Sequence, residues 1–494
     1  MRRYLSIILA IVCLISIQNS KVKSQDINLE DIKKNYSKLY AQKNYKDALP
    51  LAIDYAEGIK AKFGGTDIKY AKALNNVGVF NYLLKDYINA EQAFKDALSI
   101  AEQIDPDHPD VEFALNQLVN VYEKLNKPKI VTFLKKRASA IKERNDLTTK
   151  RGPGSDDNDY TTVPVFFATD RKNTNSTNPK KRYGSAQSQL INGSHLDLGI
   201  AMVSIPGGDR HVIGQLEEPS IMRFEWNEDP AKHVVLLEVK EHSKEHYFEL
   251  MKARIASSNA KKAFIFVHGY NVSFEDAARR TAQMAYDLNF KGAPIFYSWP
   301  SKGATWGYTS DEVDIQWTEP HLKQFLTDFL KKSNAENVYI IAHSMGNRAL
   351  TKVISDVAKE TPEAQTKIKE IILAAPDIDA SVFIGNIVPE ITKNYKNITL
   401  YASSGDNALL GSEIFHGNRP RAGDAGDGLV VVPGIETIDV SGIDSSLLGH
   451  SYIAGTKSIL EDVAAVFAES KRAKDRDNML LNKKNGLNFW VLKQ

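Results

Sequence analysis

The stretch Val338–Leu350, V-Y-I-I-A-H-S-M-G-N-R-A-L, constrains this chain more than any other. Val338 to Ile341 form a short apolar run of the kind that makes a buried strand. The chain then passes through small residues into N-R-A-L-T-K-V-I-S-D-V, whose apolar positions recur at helical spacing. Ser344 stands between the two, two residues from Ala342 and two from Gly346. A strand that turns at once into a helix around a serine needs small flanks, because the backbone must pass closely. Such a turn lifts the hydroxyl above the sheet edge and sets a helix N-terminus behind it, where developing negative charge is stabilised. Ser344 is therefore the candidate nucleophile, with alanine at position 342 where the G-x-S-x-G pattern has glycine.

At 494 residues the chain is too long for one ordinary domain, and two or three are expected. Its hydrophobic fraction of 43% and charged fraction of 25% are those of soluble globular protein. A formal net charge of +2 argues against a nucleic-acid-binding machine, which carries a basic excess. The N-terminus departs from this pattern. Arg2 and Arg3 precede the apolar run Leu5–Ile17, and polar residues follow up to Gln25. That order is expected of a signal peptide over residues 1–24, cleaved after the small-residue positions Val22 and Ser24, on a secreted or periplasmic protein. A retained signal anchor is the alternative. Otherwise no window is long and apolar enough to span a bilayer, so no transmembrane segment is expected in the mature chain. The single cysteine, Cys13, lies inside the apolar run after the non-small Val12, which disfavours a lipid anchor. The mature chain then has neither disulfide nor thiol nucleophile.

Residues 25–145 contain little glycine and no convincing strand. Leu29–Gln42 and Tyr45–Lys62 read as helices, and the pattern Tyr45…Ala48 returns as Tyr87…Ala90, a period of 42 residues by subtraction. A degraded third pair runs from Val111 to about Glu143. Helix pairs at a fixed period, with alanines at the crossings and aromatic wedges, mark an α-solenoid. The region resembles tetratricopeptide repeats of a longer-repeat variety. It is expected either to bind a protein or peptide partner in a groove or to cap the domain that follows. Residues 146–160, with Arg151-Gly152-Pro153-Gly154, read as a linker.

From residue 161 to 470 strands alternate with helices: Val163–Thr169, Leu198–Ile205, Val234–Val239, Ala263–Val267, Pro294–Trp299, the strand before Ser344, Ile368–Ala374, Ile398–Tyr401 and Ile435–Val440. This alternation predicts a mostly parallel sheet covered by helices on both faces. A-T-D-R near the domain start, F-V-H-G-Y-N, Y-S-W-P-S, A-H-S-M-G-N-R, A-A-P-D-I-D and the late G-H-S-Y together resemble a bacterial group of esterase/lipase-like α/β-hydrolase proteins of unknown function. The resemblance spans about residues 160–470 and implies the α/β hydrolase fold. In that fold the backbone N–H groups of Tyr270, in the H-G turn, and of Met345, after the serine, would form the oxyanion hole. His268 reads as a structural residue holding that turn.

An activated serine needs an imidazole as base and a carboxylate to orient it, in chain order serine, acid, histidine. Asp406, after Gly405 at the end of the strand Ile398–Tyr401, fits the acid; Asp377 and Asp379 at the preceding strand end remain alternatives. His450, beyond the last strand, fits the base, with His416 as its rival. Asp424 and Asp427 read as a solvated turn rather than a cation loop. Trp299, Trp306, Tyr308 and Trp317 either line an acyl pocket or pack a loop. The sequence offers no cofactor or metal site. Together these features predict a serine hydrolase of small-molecule carboxylic esters, with a non-catalytic interaction scaffold as the competing reading. Residues 471–494 read as a C-terminal tail.

Overall fold

The structure, a computed structural model, describes residues 29–105, 108–148, 159–190, 194–219, 227–258, 260–303, 307–404, 419–443 and 455–493. The expected signal peptide and most of the expected linker lie outside these residues. The chain divides into two compact units, Met1–Asp146 and Leu147–Gln494.

In the first unit the helices are α1 (Leu29–Ala41), α2 (Tyr45–Phe63), α3 (Ile68–Leu83), α4 (Tyr87–Ile104), α5 (Pro109–Lys124) and α6 (Pro128–Thr148). The residues that carry the sequence period do equivalent work. Tyr45 and Tyr87 each open the second helix of a pair, and Ala48 and Ala90 are completely buried at the crossings. Gly78 sits so close to Phe94 that a Cβ would fall 2.6 Å from its ring. The turns within each pair recur too. Lys43, Lys85 and Asn126 all adopt left-handed backbone, at φ 58°, 65° and 54°.

The second unit is built on an 11-stranded sheet of order β12-β13-β11-β10-β9-β8-β6-β7-β1-β4-β5. Its strands are β1 (Tyr160–Thr169), β4 (Asp197–Pro206), β5 (Val235–His242), β6 (Lys262–Val267), β7 (Ala293–Ser298), β8 (Asn337–His343), β9 (Ile368–Ala374), β10 (Ile398–Ala402), β11 (Glu436–Asp439), β12 (Met479–Lys484) and β13 (Leu487–Leu492). A separate ribbon pairs β2 (Arg171–Asn173) with β3 (Tyr183–Gln187). The run from β13 to β1 is parallel throughout, while β12, β4 and β5 join antiparallel at the ends. The longer helices are α7 (Lys244–Ala256), α8 (Phe274–Asp287), α9 (Tyr308–Lys332), α10 (Gly346–Glu360), α11 (Val388–Asn394) and α12 (Lys457–Glu469). Alternate residues of the central strands feed different clusters. Ile340 and Ala342 of β8 pack with α9 and α10 residues, while Tyr339 and Ile341 pack with α12 residues. Helices therefore cover both faces, which is why those strands are apolar throughout.

The segment read as a C-terminal tail, residues 471–494, contains two strands. Residues 479–492 form a β-hairpin whose second strand pairs parallel with β11, so the chain end extends the sheet. The signal was present in Asn485-Gly486, at φ 51° and 81°, the dipeptide that a tight hairpin turn favours. Burial of Leu492 and packing of Phe489 and Trp490 against the core account for the apolar character of Leu487–Leu492. Among the described residues, no helix is long and apolar enough to cross a membrane.

Candidate active site

Ser344 directly follows β8 and precedes α10 with φ at 50°, a left-handed conformation that a side chain beyond glycine rarely adopts. The turn is held at several points. The Ser344 N–H donates to the Ala374 carbonyl at 2.9 Å, and Asn347 Nδ2 donates to the carbonyls of Ser344 and Ala374 at 3.0 and 3.1 Å. Gly346 has no room for a side chain, since a Cβ would lie 2.4 Å from the His268 carbonyl oxygen. Both features are those required of a sharp strand-to-helix turn around a nucleophile.

The H-G turn after β6 lies directly against this elbow. A Cβ on Gly269 would come within 2.8 Å of both His343 Nδ1 and Ser344 Cβ. His268 is fully buried and stacks on Trp299, with ring centroids 5.2 Å apart and planes 13° from parallel. Its Nδ1 lies 2.9 Å from the Gly269 carbonyl and its Nε2 3.2 Å from Ser298 Oγ. Burial, reinforced by the Arg171 charge, pushes its pKa well below the ordinary value, so the ring is neutral. Trp299 Nε1 donates to the His268 carbonyl at 2.7 Å. Trp299 thus packs beneath the turn. Trp317 contacts His195 and His321 instead, and Trp306 lies outside the described residues.

Sequence reasoning assigned no role to Arg171 of A-T-D-R, yet it ties the motifs together. Its Nε donates to Ser298 Oγ at 2.8 Å, and its Nη atoms donate to the carbonyls of Gly184, Ser301 and Val272 at 3.2, 2.9 and 2.7 Å. Burial lowers its pKa to about 10, against the pull of Asp170 and other acids, and it remains charged at neutral pH. One guanidinium therefore joins A-T-D-R to the loops after H-G-Y-N and Y-S-W-P-S.

Asp406, His450 and His416 lie outside the described residues. Asp377 is buried within a basic and phenolic cluster: its Oδ2 accepts from Tyr308 OH at 2.7 Å and from Arg348 Nη2 at 3.1 Å, and its Oδ1 lies 3.2 Å from Arg421 Nε. Asp379 caps the short helix that follows, accepting from the Ser381 and Val382 N–H groups at 2.9 and 3.1 Å. Near Asp424 and Asp427, Lys484 Nζ donates to the carbonyls of Asp427 and Leu429 at 2.7 and 2.9 Å. A built-in ammonium serves those oxygens. A cleft of about 460 Å³ runs along α10, walled by Ile315, Lys352, Ile378 and Ile387, and Ser344, Met345 and Tyr270 do not line it.

Residues 242–467 match the family model described as "Alpha/beta hydrolase of unknown function (DUF900)", and residues 69–144 match that of the tetratricopeptide repeat. No curated protein matches the chain. Among solved structures, BtubC (BKLC) from P. vanneervenii is similar at 20% identity and a TM-score of 0.23, over 27% of this chain and 53% of that one. This chain therefore spans only about half the length of that relative. A predicted CIB-like hydrolase from Thermoplasma acidophilum is similar at 15% identity and a TM-score of 0.25, over 47% of this chain and 89% of its own. A gene product from Listeria innocua is similar at 14% identity and a TM-score of 0.26, over 47% and 98%. The chain thus carries, at residues 242–467, a domain of this alpha/beta hydrolase family, preceded by tetratricopeptide repeats.

Proposed function

We propose that the chain is a serine hydrolase acting on small-molecule carboxylic esters, with Ser344 as nucleophile, His450 as base and Asp406 as the acid that orients it. The observation that carries this reading is the strained backbone of Ser344, fixed at a strand-to-helix turn with the H-G loop against it. Strain of this kind costs about 1–3 kcal/mol and persists where it serves a function. In the reaction, Ser344 Oγ attacks the ester carbonyl carbon while the His450 imidazole takes its proton. The tetrahedral oxyanion is held by the N–H groups of Tyr270 and Met345. The C–O bond then breaks, the imidazolium returns the proton to the leaving alcohol, and water repeats the sequence to release the acid. The repeats are read as a docking module for a protein or peptide. The Arg2-Arg3-led apolar run supports export to the periplasm or medium.

Kinetics on p-nitrophenyl esters test the assignment. Ser344→Ala, His450→Ala and Asp406→Asn should each lower kcat by about 10⁴ or more while leaving the circular dichroism unchanged. Wild-type kcat in Asp406→Asn, with collapse in Asp377→Asn or Asp379→Asn, would move the acid to that residue.

A further inference from the structure

The serine hydrolase reading gives no role to a cluster beside the elbow in which buried Asp377 and Tyr308 meet the half-buried Arg348 and Glu312. Arg348 lies four residues beyond Ser344, on the first turn of α10. Its Nε donates to the Asp377 carbonyl at 2.6 Å, its Nη1 to Glu312 Oε1 at 2.6 Å, and its Nη2 to both Tyr308 OH at 2.8 Å and Asp377 Oδ2 at 3.1 Å. The Tyr308 hydroxyl in turn donates to Asp377 Oδ2 at 2.7 Å, so its ring is held by two hydrogen bonds at one end. That ring meets the Tyr270 ring edge-on, with centroids 5.2 Å apart. On the other side, the Asp377 N–H donates to the Ser344 carbonyl at 3.3 Å. A single network therefore touches the residue of each loop that would hold the oxyanion: Tyr270 by its side chain and the Ser344–Met345 turn by its backbone.

We propose that Arg348, Tyr308 and Asp377 are positioning residues that set the separation of the two oxyanion donors, Asp377 acting in this way and not as the triad acid. The proposal rests on the serine hydrolase reading. Arg348 suits the task because its planar fork serves four acceptor atoms on three residues in fixed directions, which a lysine cannot. Burial lowers its pKa, but Asp377, Tyr308 and Glu312 outweigh that and raise it, so the fork stays charged. Oxyanion donors stabilise the transition state more than the bound substrate, and a misplacement near 1 Å is enough to lose much of that benefit. Damage to the network should therefore appear in kcat and not in KM.

The full-length protein is assayed on a p-nitrophenyl ester as wild type, Tyr308→Phe, Arg348→Lys and Asp377→Asn, with inhibition by an alkyl boronic acid as transition-state probe. Each variant is expected to lose about 10- to 100-fold in kcat with KM within about twofold. Boronate affinity should fall in parallel, and the acidic limb of the pH–rate profile should stay at the wild-type position. Tyr308→Phe removes only one oxygen and keeps the ring, so it reports even if Asp377→Asn fails to fold. Wild-type kcat in Tyr308→Phe and Arg348→Lys would overturn the proposal, as would a loss near 10⁴ confined to Asp377→Asn. If wild type hydrolyses the ester and these variants are unaffected, this proposal alone falls. If folded wild type shows no turnover, the serine hydrolase reading falls and takes the proposal with it.

Discussion

Ser344 is the residue at which local preference and tertiary structure disagree most. An L-residue in left-handed backbone costs about 1–2 kcal/mol, and Ala375, one strand away, adopts φ 44° as well. Glycine carries no such penalty. Ser344→Gly should therefore be more stable than Ser344→Ala by about 1 kcal/mol, the reverse of the order at an ordinary helical site. Urea unfolding of the two variants measures this, and equal midpoints would show that the turn relaxes without strain. Ser344 was legible because its flanks are chemically distinctive: a strand, a small residue on each side and a helix. Arg171 was not, because its acceptors are mainly backbone carbonyls of Gly184, Val272 and Ser301, which leave no mark in the residue types. Asp377 invited an acid role by its place at a strand end, and only the structure reveals Arg348, Tyr308 and Arg421 around it.

Among the elements, the central parallel strands could be read directly, since burial on both faces demands unbroken apolar runs. β12 escaped notice because it mixes the exposed Leu480 and Leu481 with Asn482 and lysines, which hides any alternation. The loop between β4 and β5 also holds a device that spacing does not disclose. His211 Nδ1 lies 2.9 Å from Glu217 Oε2 and its Nε2 2.7 Å from Asp287 Oδ1 on α8, while the Gly214 N–H donates to Asp287 Oδ2 at 2.7 Å. The Tyr286 ring packs edge-on to the imidazole, and Arg280 donates to the Gly214 carbonyl. Burial alone would lower the His211 pKa, but hydrogen bonds and charge from Asp287 and Glu217 raise it to about 9. The folded state thus binds this proton more tightly than the unfolded chain, whose value is near 6.5. The stabilisation is fully present below about pH 6.5 and is lost as pH rises through about 9, on the order of 2–3 kcal/mol. Between pH 6.5 and 9.5 the wild-type Tm should fall more than that of His211→Gln. Parallel Tm curves for the two would contradict the clamp.

At the scale of the whole molecule, two units with separate cores follow from two kinds of periodicity in one chain, helix pairs first and strand–helix alternation after. The repeat period was readable because equivalent helix crossings demand the same small residue, so Ala48 and Ala90 are both completely buried. The proposed acid and base, Asp406 and His450, follow Ser344 in the chain order of the hydrolase triad. The most direct measurement treats the intact protein with a fluorophosphonate probe and locates the adduct by peptide mass analysis. One adduct is expected, on Ser344, absent from Ser344→Ala and forming far more slowly in His450→Ala. A folded wild-type protein that acquires no adduct, or acquires it at another residue, would contradict the assignment of Ser344 as nucleophile.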